Sequence, residues 1–178
     1  ELDRFGEQHD EAQPSRGRKM LNITRDTGEL LALLVQRRGA QAVLEIGTSN
    51  GYSTLWLAEA VKRLDGRVTT IERDEKKISL AEANFQRAGL SPWIILLAGE
   101  VGSLLPSLPT AGYQLIFLDS DRQHYQGWWP EILRLLVPRG LLVVDNAISH
   151  ESEMRDWMAQ VRRDPDFLTS LVPVGKGE

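Results

Sequence analysis

The chain contains no cysteine among its 178 residues, which excludes a disulfide scaffold, a thiolate zinc site and a cysteine nucleophile. Any metal it binds must be held by oxygen or imidazole. It also lacks an apolar run approaching the roughly 18 residues of a membrane span. The acidic, polar N-terminal stretch has none of the charged-then-apolar layout of a signal peptide, so a soluble cytoplasmic protein with no membrane partner is the expectation. Positive charge is not in excess. A formal net charge of −4 argues against nonspecific attraction to nucleic acid, and the basic cluster Arg16, Arg18 and Lys19 is too short to reverse that. Internal repeats, low-complexity segments and long linkers are missing too. What is present, 42% hydrophobic and 26% charged residues, suits one compact domain with a sizeable core.

Apolar character alternates along the chain between short β-like runs and amphipathic helical stretches. Strands are expected over 42–46, 67–72, 93–98, 114–119, 140–145 and 168–174. Helical spacing recurs between them: Leu30, Leu31, Leu34 and Val35; Ile78, Ala81, Phe85 and Ala88; Trp128, Ile132, Leu135 and Leu136; Met154, Trp157, Met158 and Val161. Strands separated by helices need right-handed crossovers, and their nearly unbroken hydrophobicity implies cover on both faces. The expected fold is therefore α/β, a doubly wound and mostly parallel sheet. Residues 1–21 read as an arm or cap and 22–178 as the single domain. The terminal Gly175-Lys176-Gly177-Glu178 reads as a turn awaiting a partner strand, which predicts a sheet left incomplete on that side. Core packing is the expectation for Trp56, Trp128 and Trp157, and a pocket or oligomer contact for Trp93 and Trp129.

In such sheets ligands sit beyond the carboxyl ends of the strands. The most informative end is Val43-Leu44-Glu45-Ile46-Gly47-Thr48-Ser49-Asn50-Gly51-Tyr52-Ser53, a hydrophobic run that breaks into a glycine-flanked turn and then a helix. The turn offers main-chain N–H groups and a helix N-terminus to a small charged ligand. Ser49 and Tyr52 interrupt the Gly-x-Gly-x-x-Gly dinucleotide spacing, and no Gly-Lys-Ser/Thr follows. A cofactor without phosphates fits better. S-adenosylmethionine, with its ammonium, carboxylate, sulfonium and adenosine, wants acidic neighbours, and Glu45 and Glu72 end successive strand-like runs.

Two further apolar runs end abruptly in acid, Leu115-Ile116-Phe117-Leu118-Asp119 and Leu141-Leu142-Val143-Val144-Asp145-Asn146. Two carboxylates and an amide carbonyl, with no cysteine and no spaced histidine pair, suit a hard divalent cation. Magnesium is the first expectation, with manganese or calcium as alternatives. Helix capping by Asp119 and a turn at Asp145-Asn146 are the bland alternatives.

On Met20-Leu21-Asn22-Ile23, the Glu45-Ile46-Gly47-x-x-x-Gly51-Tyr52-Ser53 turn, Thr70-Ile71-Glu72, Phe117-Leu118-Asp119 and Asp145-Asn146, the chain resembles a known family. These are the cation-dependent, S-adenosylmethionine-dependent O-methyltransferases, comprising the catechol and caffeoyl-CoA O-methyltransferases and their small bacterial relatives. The resemblance runs from Met20 to Gly177 and implies the Rossmann-like methyltransferase fold. It implies that Glu45, Gly47 and Ser53 surround the methionine part of the cofactor, with Asn22 and Ile23 closing over it. Glu72 would take the ribose hydroxyls, Gly99 and Glu100 would border the adenine, and Tyr125 would lie near the cofactor. Asp119, Asp145 and Asn146 match the three cation ligands. The implied partner is a small hydroxylated molecule, catechol-like or hydroxyaromatic, and relatives are often homodimers.

One departure stands out. Where the family usually carries a lysine three residues after the first aspartate, this chain has Arg122, which cannot be deprotonated in a protein. The proton acceptor is then one of His124, His150, Asp121 or a hydroxide on the metal, with Arg122 left to hold an anionic substrate group. A metal-independent methyltransferase of the same fold and a non-catalytic cofactor-binding module are the competing readings.

Overall fold

The structure is a computed structural model that describes residues 2–13 and 19–178. Arg16 and Arg18 of the basic cluster, and with them part of the expected 1–21 arm, lie outside the described residues.

The chain forms helix α1 (Leu2–Ala12), α2 (Arg25–Arg38), strand β1 (Ala42–Ile46), α3 (Tyr52–Lys62), β2 (Arg67–Glu72), α4 (Glu75–Ala88), β3 (Ile94–Ala98), the single turn α5 (Val101–Leu104), β4 (Tyr113–Leu118), α6 (Tyr125–Leu135), β5 (Leu136–Val144) and α7 (Glu151–Arg163). The caps are local chemistry. The Thr24 hydroxyl accepts from Thr27 N at the start of α2, Asp74 accepts from Lys76 N and Lys77 N at the start of α4, and Gly39 and Gly89 end these helices in the left-handed conformation.

Five parallel strands lie in the order β3-β2-β1-β4-β5. Successive strands run outward from β1 to one edge, and the chain then returns to β4 on the other side of β1. That reversal opens a crevice at the carboxyl ends of β1 and β4. Alternation along each strand divides the core into two layers. Val43, Val68, Leu115, Phe117 and Val143 meet Leu31, Val35, Leu57 and Val61 from α2 and α3 on one face. Leu44, Ile46, Ile71, Ile116 and Leu118 meet Tyr125, Trp129 and Ile132 from α6 and Met154, Trp157 and Val161 from α7 on the other. Both faces of the central strands β1, β2 and β4 are covered, while the edge strands β3 and β5 remain partly open.

Three expectations are corrected. The last strand begins at Leu136 rather than 140, because Val137-Pro138-Arg139 bulge out between the pairs Tyr113–Leu136 and Leu115–Leu141, with Arg139 at φ +62°. No strand forms over 168–174: Val172 exchanges backbone hydrogen bonds with Glu178 across a turn, Pro173 offers no N–H, and Leu168 is fully exposed. An apolar groove of about 890 Å³ separates this segment from β5. The third concerns the adjacent tryptophans of α6. Trp129 is the core residue, wedged edge-on against Trp157 at 5.7 Å, while Trp128 is half-buried and stacks on His124. α1 was not legible from its weak periodicity, and its Asp10 carboxylate accepts from Met20 N and Leu21 N at 2.6 and 2.8 Å.

Gly47 holds the turn after β1 at φ +108°, and a Cβ there would run into the Asp119 carbonyl. Both effects penalise any side chain. Gly47→Ala is expected to cost about 3 kcal/mol or more, read as a lower urea midpoint at unchanged slope.

Candidate active site

One rung of the sheet fixes the site. Four of the five strands are prolonged by one residue whose N–H donates to the last residue of its neighbour or the one before it: Gly99 to Glu72 (2.8 Å), Gly47 to Ile71 (3.2 Å), Asp119 to Ile46 (3.0 Å) and Asp145 to Leu118 (3.0 Å). Four of the residues singled out in the sequence therefore stand side by side along one edge, their register locked by the ladder.

Behind the β1 turn, Glu45 is fully buried. Its carboxylate accepts from Ser53 Oγ at 2.5 Å, from Thr70 Oγ1 at 2.6 Å and from Thr54 Oγ1. The Thr48 hydroxyl lies 2.6 Å from that of Thr70 and, since the Thr70 proton is committed to Glu45, donates to it. Burial, opposed by these hydroxyls, pushes the Glu45 carboxyl up to about 7. Thr54 and Thr70 were invisible as site residues in the sequence; the only trace is their inward position beside an acidic strand end.

Glu72 closes the other side of the turn. It accepts from Ser49 N (2.9 Å), Arg73 N (2.9 Å) and Asp74 N (3.0 Å). Ser49 Oγ donates to the Met20 carbonyl at 2.7 Å, which brings the Met20–Ile23 segment onto the turn, with Ile23 buried and the Asn22 amide donating to the Leu2 carbonyl of α1. Gly99, at φ +148°, begins the loop carrying Glu100, which is exposed and paired with Arg73 at 3.2 Å.

Across the crevice, Asp119, Asp145 and Asn146 converge. The Asp119 and Asp145 carboxyl groups lie within hydrogen-bonding reach, and the Asn146 amide, buried at φ +67°, donates to Asp145 Oδ2. Burial and the adjoining Asp145 push the Asp119 carboxyl well above its usual range, against the opposing pull of the Arg122 guanidinium. Arg122 itself is nearly buried, with Nε unpartnered and Nη1 3.7 Å from Glu153. Tyr125 is fully buried, and its hydroxyl accepts from Ser120 N and donates to Ser120 O. Burial and Asp119 push that phenol further up. His124 sits apart, largely exposed, 3.7 Å from Asp121 and stacked on Trp128 at 5.3 Å. His150 caps α7 with Nδ1 2.9 Å from Ser149 Oγ.

The sequence reading also missed Glu178. Its Oε1 accepts from Thr27 Oγ1 at 3.0 Å, and its carboxyl group lies against Asp145. Burial and Asp145 push it up to about 9.

The donor set is two carboxylates and an amide, the oxygen chemistry of magnesium or calcium. The mutual contact of Asp119 and Asp145 fits a shared ion, since bare carboxylates so placed repel each other. Among the described residues no group of three or more His, Cys, Asp or Glu is arranged to hold a metal, so the Asn146 amide oxygen, which here accepts from Ser149 Oγ at 3.2 Å, would have to turn to serve as the third ligand.

The sign of the Glu45 shift yields a pH dependence. Its folded pKa of about 7 exceeds the ordinary 4.5, so the folded form binds more protons between those values. Stability is complete below pH 4.5 and declines as pH rises through 7, by about 3 kcal/mol in all. In urea titrations of the cofactor-free protein at pH 5 and 8, Glu45→Gln is expected to make the fall in stability smaller by about that amount, the remainder coming from the raised carboxyls of Asp119 and Glu178.

The model of a family described as O-methyltransferase matches residues 7–176. A catechol O-methyltransferase of Niastella koreensis is 36% identical over 135 residues, covering 74% of this chain and 61% of its own length. A catechol O-methyltransferase of Mycobacterium tuberculosis is 35% identical over 126 residues, covering 71% and 57%. This chain thus spans about three fifths of the length of these two relatives. The solved O-methyltransferase TomG of Streptomyces achromogenes, involved in tomaymycin synthesis and crystallised with S-adenosylmethionine, superposes with a TM-score of 0.82 at 28% identity, over 98% of this chain and 83% of its own. The crevice at the switch point, the glycine turn beside it and the family match over nearly the whole chain agree: the protein belongs to the O-methyltransferase family.

Proposed function

We propose that the protein transfers a methyl group from S-adenosylmethionine to a hydroxyl of a small catechol-like or hydroxyaromatic molecule, with a divalent cation, magnesium first, held by Asp119, Asp145 and Asn146. The observation that carries this reading is the convergence of those three side chains on the same sheet edge as the Gly47 turn. The catechol O-methyltransferases among its relatives, and TomG with its bound S-adenosylmethionine, support it.

In this reading the cofactor lies along the turn. Glu72, half-buried at the end of β2 and held by three backbone N–H groups, would take the ribose hydroxyls, with Gly99 and Glu100 flanking the adenine and Asn22 and Ile23 covering it. Glu45 acts from behind: by fixing Ser53 and Thr54 it sets the N-terminus of α3 and the backbone of Gly47 against the methionine portion. Tyr125, locked to Ser120, fixes the loop that follows Asp119.

Methyl transfer needs an ionised oxygen aligned with the S–CH₃ bond at near-attack distance. A free phenol has a pKa of about 10, and a dication held by the three oxygen donors would supply the Lewis acidity that lowers it. Two adjacent hydroxyls suit such a site because they can chelate. Arg122 cannot take the proton. Its charge lies beside Asp119 and keeps that carboxyl from rising further, which makes it an electrostatic support. The same fixed cation favours a second reading, a metal-independent methyltransferase in which Arg122 and Asp119 orient the substrate.

Methyl transfer to a panel of catechols and hydroxyaromatics is expected to fall at least about 100-fold in EDTA and to return with Mg²⁺. Asp145→Ala with Asn146→Ala is expected to abolish turnover while leaving S-adenosylhomocysteine affinity within about threefold, since both residues follow β5, two strands from the β1 turn. Activity unmoved by EDTA selects the metal-independent reading, and absence of product across the panel contradicts both.

A further inference from the structure

Residues 20–23 are anchored at both ends, and α1 holds what lies between. Met20 and Ile23 are buried, and the Met20 carbonyl accepts from Ser49 Oγ of the β1 turn. Leu21 is 42% exposed, yet it stands at φ +52°, a conformation unfavourable for a leucine. Its own packing does not enforce that backbone. The Asp10 carboxylate does: Oδ1 accepts from Met20 N at 2.6 Å and Oδ2 from Leu21 N at 2.8 Å, so one acid engages two successive N–H groups, as an anion is gripped in a backbone nest. Asn22 is fastened from the same helix. Its amide donates to the Leu2 carbonyl at 3.3 Å, and a Cβ on Gly6 would strike that amide nitrogen. Lys176 Nζ reaches the Asn22 carbonyl at 3.5 Å.

We propose that Asp10 is a positioning residue for S-adenosylmethionine: by fixing the backbone of Met20 and Leu21, it lets α1 present Asn22 and Ile23 to the cofactor already folded. This rests on the reading given above that residues 22 and 23 cover the cofactor. A cover held in place before binding spares the ordering cost that a loose one incurs at each encounter. Both polar ends of Asn22, its side-chain amide and its carbonyl, are engaged by protein groups, so the way α1 lies sets where Asn22 stands. Asp10 acts through the cover alone. Its contribution therefore falls on cofactor affinity and not on the transfer step.

The test is isothermal titration of S-adenosylhomocysteine into the full chain for wild type, Asp10→Ala, Asp10→Asn and Gly6→Ala, paired with steady-state methyl transfer at varied S-adenosylmethionine. Asp10→Ala is expected to weaken S-adenosylhomocysteine about 10-fold. Asp10→Asn is expected to fall between it and wild type, because one oxygen remains to accept. Gly6→Ala favours the helix itself but displaces the Asn22 amide, so its affinity is expected to fall although α1 is strengthened. The KM for S-adenosylmethionine is expected to rise in parallel while kcat at saturation stays within about twofold, a split that a merely structural role would not produce. Wild-type affinity in Asp10→Ala, or a fall in kcat with KM unmoved, overturns the proposal and leaves the cofactor reading standing. Should Asp10→Ala not fold, wild-type affinity in both Asp10→Asn and Gly6→Ala overturns it equally. A wild-type chain that does not bind S-adenosylhomocysteine defeats the cofactor reading, and this proposal with it.

Discussion

The site is organised by unbalanced negative charge. Asp145 adjoins both Asp119 and Glu178, Glu45 acts on Asp119 from behind the turn, and the fixed positive charge acting on Asp119 is Arg122. Carboxylates so crowded and so far from water cannot all stay ionised without a counter-charge. The protein's own donors to these acids are neutral: the hydroxyls of Ser53, Thr54 and Thr70 to Glu45, Thr27 to Glu178, and the Asn146 amide to Asp145. The counter-charge must come as a proton or as a ligand. In the function proposed above, a methyl donor bearing a sulfonium and an ammonium, together with a hard cation, would answer the electrostatic need that the isolated chain meets by holding protons.

The fold creates that crowding and keeps it in place. Asp119 and Asp145 are each the first residue past a parallel strand, and the ladder continues through their N–H groups, while Glu45 lies within β1 itself. Side chains that could wander on loops are thereby held in register by the most rigid part of the molecule, which is what near-attack alignment requires. The two apolar layers stiffen the strands from either side, and the reversal of strand order opens the crevice where the acids meet.

Much of this was legible in the sequence because it depends on periodicity and on abrupt endings. Apolar runs closing on Glu45, Glu72, Asp119 and Asp145 announced both the strands and the site, since an acid directly after a buried strand has few other places to go. What escaped was non-local. The hydroxyls of Thr54 and Thr70 look like ordinary helix and strand residues until β1, β2 and α3 are packed together. Trp128 and Trp129 exchanged roles because adjacent residues of a helix differ by 100° in facing, and the apolar stripe of α6 is wide enough to admit either. Residues 168–174 carry strand composition, but a strand needs a neighbour, and their partner is the turn that ends in Glu178. That same turn hid Glu178, whose approach to Asp145 depends on Gly175 and Gly177 folding back against α2 and Ile148.

The most direct test of the central claim is a crystal structure of the protein with S-adenosylhomocysteine and Mn²⁺, read by anomalous scattering at the manganese edge. The account predicts one peak among the side-chain oxygens of Asp119, Asp145 and Asn146, with the cofactor analogue lying along the Gly47 turn. A cofactor seated there with no peak, and the two aspartates turned away from one another, would contradict it.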